Sequence, residues 1–254
     1  MDFGIQGKVA IVTGTNRKGA IGCDIARTLA TEGANIACVD IMVDGAEATA
    51  SELLEMGVQA KAYKVDQRDY KQVADAVARI KEDLGPPQIL INNAALLRGG
   101  GRIDKTSIED WQNLMKIDLD GPWYWIKETW DSMVENKWGR IINISSIAGV
   151  LGGFGQANYS TAKAGVIAMA KTAALEGARV GITANAVTLG VVDTSGGRIS
   201  EAEMFQRIKA KIAMREFGEP ADVSNCIAFL VSKQAKYITG QDIHVMGGLD
   251  LFTY

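Results

Sequence analysis

Short apolar runs alternate with longer amphipathic stretches along the whole chain. Several of the apolar runs contain no polar position and many β-branched residues, which is typical of strands buried on both faces. They predict strands at Lys8–Thr13, Asn35–Asp40, Ala60–Val65, Ile89–Asn92, Arg140–Ser145, Ile182–Val187 and Asp242–Val245. Because segments of helical length separate them, we expect parallel strands joined by right-handed helical crossovers.

The segments between the strands carry helix signals. Apolar residues at i, i+3, i+4 and i+7 predict a helix from about Tyr70 to Asp83, namely Val73, Ala76, Val77 and Ile80. Ser107 followed by Asp110 predicts the N-terminal cap of another helix, and Pro220 fits the first turn of a later one.

The chain has 254 residues, of which 47% are hydrophobic and 4 are prolines, and no Pro- or Ser-rich linker divides it. We therefore expect a single α/β domain over residues 1–254, a doubly wound Rossmann-type parallel sheet of about seven strands with helices on both faces. The segment 195–211 is the one long excursion between the last two predicted strands, which indicates a lid on the substrate side.

Composition and charge argue against several classes of function. A net charge of −3 provides no basic field for nucleic acid, and the 3 cysteines lie far apart in the sequence, which argues against a disulfide framework or a zinc site. We therefore expect no metal and no nucleic-acid partner. The N-terminal residues lack a signal-peptide pattern and every apolar run is too short to span a bilayer, so a cytoplasmic protein without a membrane partner is expected.

A turn rich in small residues, Thr13 to Gly22, here called the Gly-rich turn, follows the first predicted strand and leads directly into a helical pattern. Such a turn lets the backbone approach a pyrophosphate, which the helix N-terminus stabilises. Asp40 ends the second strand, where a carboxylate can accept both ribose hydroxyls of an adenosine and would repel a 2′-phosphate. This favours NAD over NADP, although Arg17 and Lys18 in the turn argue for NADP because a cation there could reach the extra phosphate.

Tyr159 and Lys163 lie four residues apart at the start of a predicted helix, on one face. An ammonium beside a phenol stabilises the phenolate, so this pair can work as an acid/base at neutral pH. Ser146 follows the fifth strand, where its hydroxyl can donate to a substrate oxygen.

Taken together, these motifs resemble the short-chain dehydrogenase/reductase family over nearly the full chain. The matching pieces occur in family order: Ala20-Ile21-Gly22, Asp66, Asn92-Asn93-Ala94-Ala95, Ser145-Ser146, Tyr159-x-x-x-Lys163, Leu189 to Thr194 and Gly240 to Gly248. The resemblance implies that Tyr159 is the general acid/base, Ser146 orients the substrate, and Lys163 holds the nicotinamide ribose. It also implies a homotetramer.

The resemblance further assigns a set of cofactor-binding residues. They are Gly14, Asn16, Arg17, Ala20, Ile21, Gly22, Asp40, Asp66, Gln67, Asn93, Ala94, Ala95, Tyr159, Lys163, Gly190, Val192 and Thr194. Among these, Asp66 and Asn93 are expected along the adenine side, and Val192 and Thr194 at the nicotinamide carboxamide.

The chain departs from the family pattern in two informative ways. Asp118 stands where the family usually has the asparagine of its catalytic tetrad, and as a carboxylate it cannot donate as an amide does. The Gly-rich turn is longer than usual, similar to the enoyl-reductase branch. That branch, however, places its lysine seven residues after a tyrosine, where this chain has Val166.

The sequence thus predicts an oxidoreductase that moves a hydride between NAD(H) and a secondary alcohol or ketone. Apolar loop residues, among them Leu97 and Leu151, suggest a cyclic or aromatic substrate. The alternatives are an NADP-dependent 3-oxoacyl-type or enoyl-type reductase, an epimerase or dehydratase, or a non-catalytic NAD-binding sensor. The single histidine, His244, is expected to be structural, and the run Trp123-Tyr124-Trp125 with Trp130 to pack in a core or between subunits.

Overall fold

A computed structural model describes residues 2–96, 101–194 and 203–251. Seven parallel strands form one sheet in the order β3-β2-β1-β4-β5-β6-β7. The strands are β1 (Val9–Thr13), β2 (Asn35–Asp40), β3 (Ala60–Lys64), β4 (Pro87–Asn92), β5 (Gly139–Ser146), β6 (Ile182–Leu189) and β7 (Asp242–Val245). The strand order reverses between β1 and β4, and such a switch point is where doubly wound sheets bind ligands.

Helices cover the sheet between its strands. They are α1 (Ile21–Thr31), α2 (Val43–Glu55), α3 (Tyr70–Asp83), α4 (Ile108–Met115), α5 (Gly121–Glu135), α6 (Ile147–Leu151), α7 (Ala157–Gly177), α8 (Glu203–Lys209) and α9 (Pro220–Val231). A π-helical turn, Lys116–Asp120, joins α4 to α5, and a short 3₁₀ turn, Ala178–Val180, follows α7.

The apolar core lies on both faces of the sheet, because successive strand residues point to opposite sides. In β1, Ala10 and Val12 pack with α1, α2 and α9, whereas Val9 and Ile11 pack with α3, α5 and α7. This two-sided burial explains why the strands read as continuous apolar runs.

The predicted fold class is confirmed, as are α3 and the Ser107 cap, whose hydroxyl accepts from the Asp110 N–H at 3.0 Å. The largest boundary differences are two residues each: β4 begins at Pro87 rather than Ile89, and β6 ends at Leu189 rather than Val187. Pro87 pairs with Val9, because a proline is tolerated at the first position of a strand.

Residues 195–202 of the predicted lid lie outside the described residues, and the described remainder contains α8. Trp125 is fully buried in the core, whereas Trp123 is 49% exposed. Among the described residues, no helix has both the length and the apolar character needed to cross a membrane.

Candidate active site

A cavity of about 790 Å³ opens where the strands β1, β2, β4, β5 and β6 end. All the predicted cofactor residues line it, together with Ser146. The structure therefore brings together residues from the Gly-rich turn to Thr194 that are distant in sequence.

The Gly-rich turn keeps the floor of this cavity open. Gly14 has φ of +81°, a left-handed conformation that glycine adopts without strain. At Gly22, the start of α1, an added Cβ would lie 2.1 Å from the Gly14 carbonyl oxygen. The Asn93 amide donates to the Thr13 carbonyl at 2.8 Å, which fastens the end of β4 to the turn.

Asp40 lies at the edge of the cavity and is 7% exposed. Its Oδ1 accepts from the side chain of Asn16 and from the Met42 N–H, both at 2.9 Å, so Oδ2 takes part in neither bond. These contacts fix the carboxylate at the end of β2, next to the Gly-rich turn.

The segment after β6 forms the other side of the cavity. Arg17 donates from its guanidinium to the Thr194 hydroxyl at 2.8 Å, so this cation is tied to the predicted nicotinamide side rather than to Asp40. Val192 forms a parallel bridge with Gly218. Gly190 lies so close to Met246 that an added Cβ would be 2.6 Å from the Met246 Cβ.

Asp66 and Gln67 follow β3 along a third side. Arg68 binds both Asp66 oxygens, at 2.9 and 2.5 Å, and holds the pKa of this carboxyl below its usual range. Gln67 donates to the Ile117 carbonyl at 2.8 Å and accepts from the indole N–H of Trp125 at 3.3 Å. Gln67 thereby links the cavity wall to the π-helical turn.

Tyr159, Lys163 and Ser146 come together at the ends of β5 and α7. Lys163 is 4% exposed, its Nζ lies 5.6 Å from the centroid of the Tyr159 ring, and it donates to the Ile144 carbonyl at 3.1 Å. Ser146 caps α6, because its Oγ accepts from the Ala148 N–H at 3.2 Å. A phenol, an amine and a hydroxyl thus line one cavity wall.

Asp118 lies behind this group and does not line the cavity. It is fully buried in the π-helical turn, and its Oδ2 is 3.5 Å from Lys163 Nζ. Its Oδ1 accepts from the Leu96 N–H at 2.7 Å. Burial raises the pKa of Asp118, whereas the charge of Lys163 and the Leu96 N–H act against this rise.

Besides Asp118, two other residues singled out in the sequence, Leu151 and His244, do not line the cavity. Leu151, at the end of α6, is 63% exposed and does not line the cavity, so its substrate role stays a prediction. Leu97 lies outside the described residues. His244 is in β7, between the carboxylates of Asp242 and Asp250, which is compatible with the expected structural role.

Four contributing residues were missed at the sequence level. Arg68 holds Asp66 and donates to Asn113, also a lining residue, at 3.0 Å. Thr13 accepts from the Asn93 and Ala94 N–H groups at 3.0 and 2.9 Å. Ser145 donates to the Lys163 carbonyl at 2.8 Å. Thr13, Ser145 and Arg68 occur at or just after strand ends, a position that could have drawn attention to them.

The sequence is similar to a known family and to several proteins named as reductases. Residues 14–250 match the family model described as enoyl-(acyl carrier protein) reductase. The chain is 36% identical to the 3-oxoacyl-[acyl-carrier-protein] reductase FabG of Aquifex aeolicus, over 98% of this chain and 100% of that protein. It is 36% identical to the protein of the same name from Staphylococcus epidermidis, over 95% of this chain and 98% of that protein.

A further relative carries a different name. The chain is 37% identical to an acetoacetyl-CoA reductase of Synechocystis sp., over 97% of this chain and 98% of that protein. Both the family model and these relatives cover nearly the whole chain. The chain is therefore an oxidoreductase of the short-chain dehydrogenase/reductase family.

Proposed function

We propose that this protein reduces the keto group of a 3-oxoacyl thioester, with NADH as the preferred reductant. The observation that carries the proposal is the placement of Tyr159 and Lys163 on one turn of α7, beside Ser146 and on the cavity wall. The relatives named as 3-oxoacyl-[acyl-carrier-protein] and acetoacetyl-CoA reductases support the substrate class. They give no support to a cyclic or aromatic substrate.

The residues present fit a nicotinamide dinucleotide. The close approach of Gly22 to the Gly14 carbonyl leaves the turn without side chains that would fill the cradle for a pyrophosphate. Lys163 and Thr194 would hold the nicotinamide end, and Asp40 the adenosine ribose. When bound in reduced form, the cofactor would supply the hydride that reaches the carbonyl carbon.

In this proposal the residues of the chain supply the proton and orient the substrate. Ser146 would donate a hydrogen bond to the keto oxygen and fix its direction. Tyr159 would donate its hydroxyl proton to the same oxygen as negative charge develops there. Lys163 would stabilise the phenolate that remains until a proton from water replaces the one that was lost.

The preference for NADH rests on Asp40. Its buried, fixed carboxylate would accept from ribose hydroxyls and repel a 2′-phosphate. Arg17, one of the two cations in the turn that argued for NADP in the sequence, donates a hydrogen bond to Thr194 instead. Arg17 therefore places no positive charge beside Asp40 that could bind a 2′-phosphate.

Reduction of a C=C bond is the rival activity, because the matching family model is described as an enoyl reductase. The lysine spacing argues against it, since Lys163 is one helical turn from Tyr159 and the seventh position holds Val166, which is 1% exposed in the core. The assay must therefore include an enoyl thioester.

The test is a nicotinamide absorbance assay with acetoacetyl-CoA, crotonyl-CoA, cyclohexanone and acetophenone, each with NADH and NADPH. We expect turnover of acetoacetyl-CoA with NADH, accompanied by stoichiometric formation of the 3-hydroxyacyl product. Tyr159→Phe should lower kcat by about 10²- to 10⁴-fold, because it removes the transferable proton.

Tyr237→Phe is the matched control, since Tyr237 is 97% exposed and remote from the cavity lining. It should retain parental turnover. The proposal is wrong if Tyr159→Phe reduces acetoacetyl-CoA at the parental rate, or if crotonyl-CoA is the only thioester consumed.

A further inference from the structure

Asp118 and Lys163 form a buried contact. The family to which this chain belongs usually has an asparagine at the position of Asp118. The two side chains come from different elements, the π-helical turn and α7, and are 0% and 5% exposed. With 3.5 Å between Asp118 Oδ2 and Lys163 Nζ, they form an ion pair shielded from water. A charge therefore stands behind the lysine where an asparagine would be neutral.

Both polar contacts of Asp118 favour its ionised form. Its Oδ1 meets the backbone N–H of Leu96, and its Oδ2 faces the Lys163 ammonium. Oδ1 thus accepts a hydrogen bond, whereas Oδ2 has no hydrogen-bond partner among the described residues and faces a cation, and neither contact could receive a proton from a carboxyl group. Burial raises the pKa of Asp118, and the Lys163 charge opposes that rise.

The groups around Lys163 come from each element packed against it. The strand β5 contributes the uncharged Ile144 carbonyl, at 3.1 Å from Nζ. On α7 itself, the Tyr159 ring centroid is 5.6 Å from Nζ. The loop after β4 contributes the backbone N–H of Leu96 to Asp118. Asp118 is thus the carboxylate that acts on the lysine charge.

We propose that Asp118 is a positioning residue that compensates the charge of Lys163, keeps the Tyr159 hydroxyl protonated at higher pH, and thereby adapts the site to carbonyl reduction rather than alcohol oxidation. An isolated ammonium favours the phenolate, which is the base that oxidation requires. A carboxylate paired with that ammonium cancels much of its field at the phenol. Reduction requires the protonated phenol as acid, so this cancellation extends its working range upward.

This inference rests on the proposed ketone reduction, and the experiment separates the two. The pH dependence of kcat/KM is measured in both directions, with acetoacetyl-CoA and NADH and with 3-hydroxybutyryl-CoA and NAD, for wild type and Asp118→Asn. The amide keeps an acceptor for the Leu96 N–H and removes the charge. We expect both the alkaline limb of reduction and the acidic limb of oxidation to move about one pH unit lower.

Asp120→Asn is the matched control, because Asp120 belongs to the same π-helical turn and is not among the cavity-lining residues. Its profile should coincide with wild type. A residue that only holds the fold would change kcat or thermal stability without moving the limbs. Limbs that stay in place, or move to higher pH, in an active Asp118→Asn enzyme would overturn the inference.

A spectroscopic titration covers the case in which Asp118→Asn does not fold, and needs no substrate. The phenolate absorbance of cofactor-free wild type is titrated against Tyr159→Phe, and the difference reports Tyr159 alone. The wild-type midpoint is expected to lie at higher pH than that of Asp118→Ser, a second variant without the charge, measured in the same way. A wild-type midpoint equal to or below that of Asp118→Ser overturns the inference. Absence of ketone reduction with the expected order of midpoints would refute only the proposed function.

Discussion

The guanidinium of Arg17 donates a hydrogen bond of 2.8 Å to the hydroxyl of Thr194, which lies 177 residues further along the chain. The bond joins the Gly-rich turn after β1 to the segment after β6, and both residues line the cavity. Because the contact is exposed to solvent, it contributes little to the folding free energy. The bond places the Arg17 guanidinium on one side of the cavity, where we expect it to affect the binding of the cofactor.

Replacing Arg17 with Ala should therefore weaken both dinucleotides to a similar extent. We expect the Kd values of NADH and NADPH to rise about three- to tenfold, because the variant loses one exposed charged hydrogen bond at the nicotinamide side. Isothermal titration measures both. Lys18→Ala, a neighbouring cation outside the cavity lining, should bind like wild type. A selective loss of NADPH binding in Arg17→Ala would mean that Arg17 does reach the 2′-phosphate.

Asp40 should set the cofactor preference through its charge. Asp40→Asn keeps an oxygen for the Asn16 side chain and the Met42 N–H, so the local structure is retained. Removing the negative charge should lower the NADH/NADPH ratio of kcat/KM by about tenfold or more, since the 2′-phosphate is no longer repelled. The steady-state rates with both cofactors measure this ratio.

The control for that experiment is Asp44→Asn, an exposed acid in the first turn of α2. It lies close to Asp40 in sequence but not in the cavity lining, and its ratio should equal that of wild type. An unchanged ratio in Asp40→Asn would remove the basis for proposing NADH.

The sequence predicts well those features that depend on residues close together in the chain. The helix Tyr70–Asp83 and the Ser107 cap depend on residues within a few positions of one another, and both were predicted. The same holds for Asp40, which ends a strand whose apolar pattern is unmistakable.

Contacts between residues far apart in the chain could not be predicted in this way. The bond from Arg17 to Thr194 and the contacts from Asp118 to Leu96 and Lys163 join residues that no local spacing connects. Arg17 was thus considered for the adenosine phosphate. Leu151 was predicted to contact substrate because it follows a strand end. It lies at the end of α6 and is 63% exposed, and its substrate role stays a prediction. A side chain's direction depends on how the helix packs, which composition does not encode.

Loss of the Ser146 hydroxyl should affect catalysis far more than stability. Ser146→Ala removes the proposed donor to the keto oxygen, and we expect kcat to fall by about 10²-fold or more. The Ala148 N–H also loses its acceptor, which should cost only about 1 kcal/mol in the free energy of unfolding. Stopped assays and urea unfolding measure the two effects separately.

Ser160→Ala is the matched control for Ser146→Ala. Ser160 is the residue after Tyr159, and its buried Oγ has no hydrogen-bond partner among the described residues, so its removal breaks no bond. Both kcat and the unfolding free energy should remain near parental values. Equal losses of kcat in the two variants would show that disturbance of the region around Tyr159, rather than the Ser146 hydroxyl, lowers the rate.

His244 should make stability depend on pH near neutrality. Its Nδ1 lies 2.6 Å from Asp250 and its Nε2 3.2 Å from Asp242. Partial burial works against protonation, but the hydrogen bond with Asp250 and the charge of Asp242 raise the pKa of His244 overall. A raised folded-state pKa means that this stabilisation is fully present below the unfolded pKa of about 6.5 and is lost as pH rises through the folded value.

The measurement is urea unfolding of wild type and His244→Gln in low salt, below and above that range, at about pH 6 and pH 9. Because the side chain is 33% exposed, solvent screening limits the effect, and we expect wild type to exceed the variant by about 0.5–1 kcal/mol more at the lower pH. The difference between wild type and Asp250→Asn should likewise be larger at the lower pH, because this variant removes the carboxylate at Nδ1 of the imidazolium. A difference that is constant with pH, or larger at alkaline pH, would mean that the imidazole is neutral in the folded protein, so that it donates to only one of the two carboxylates and no ion pair tethers Asp250 to β7.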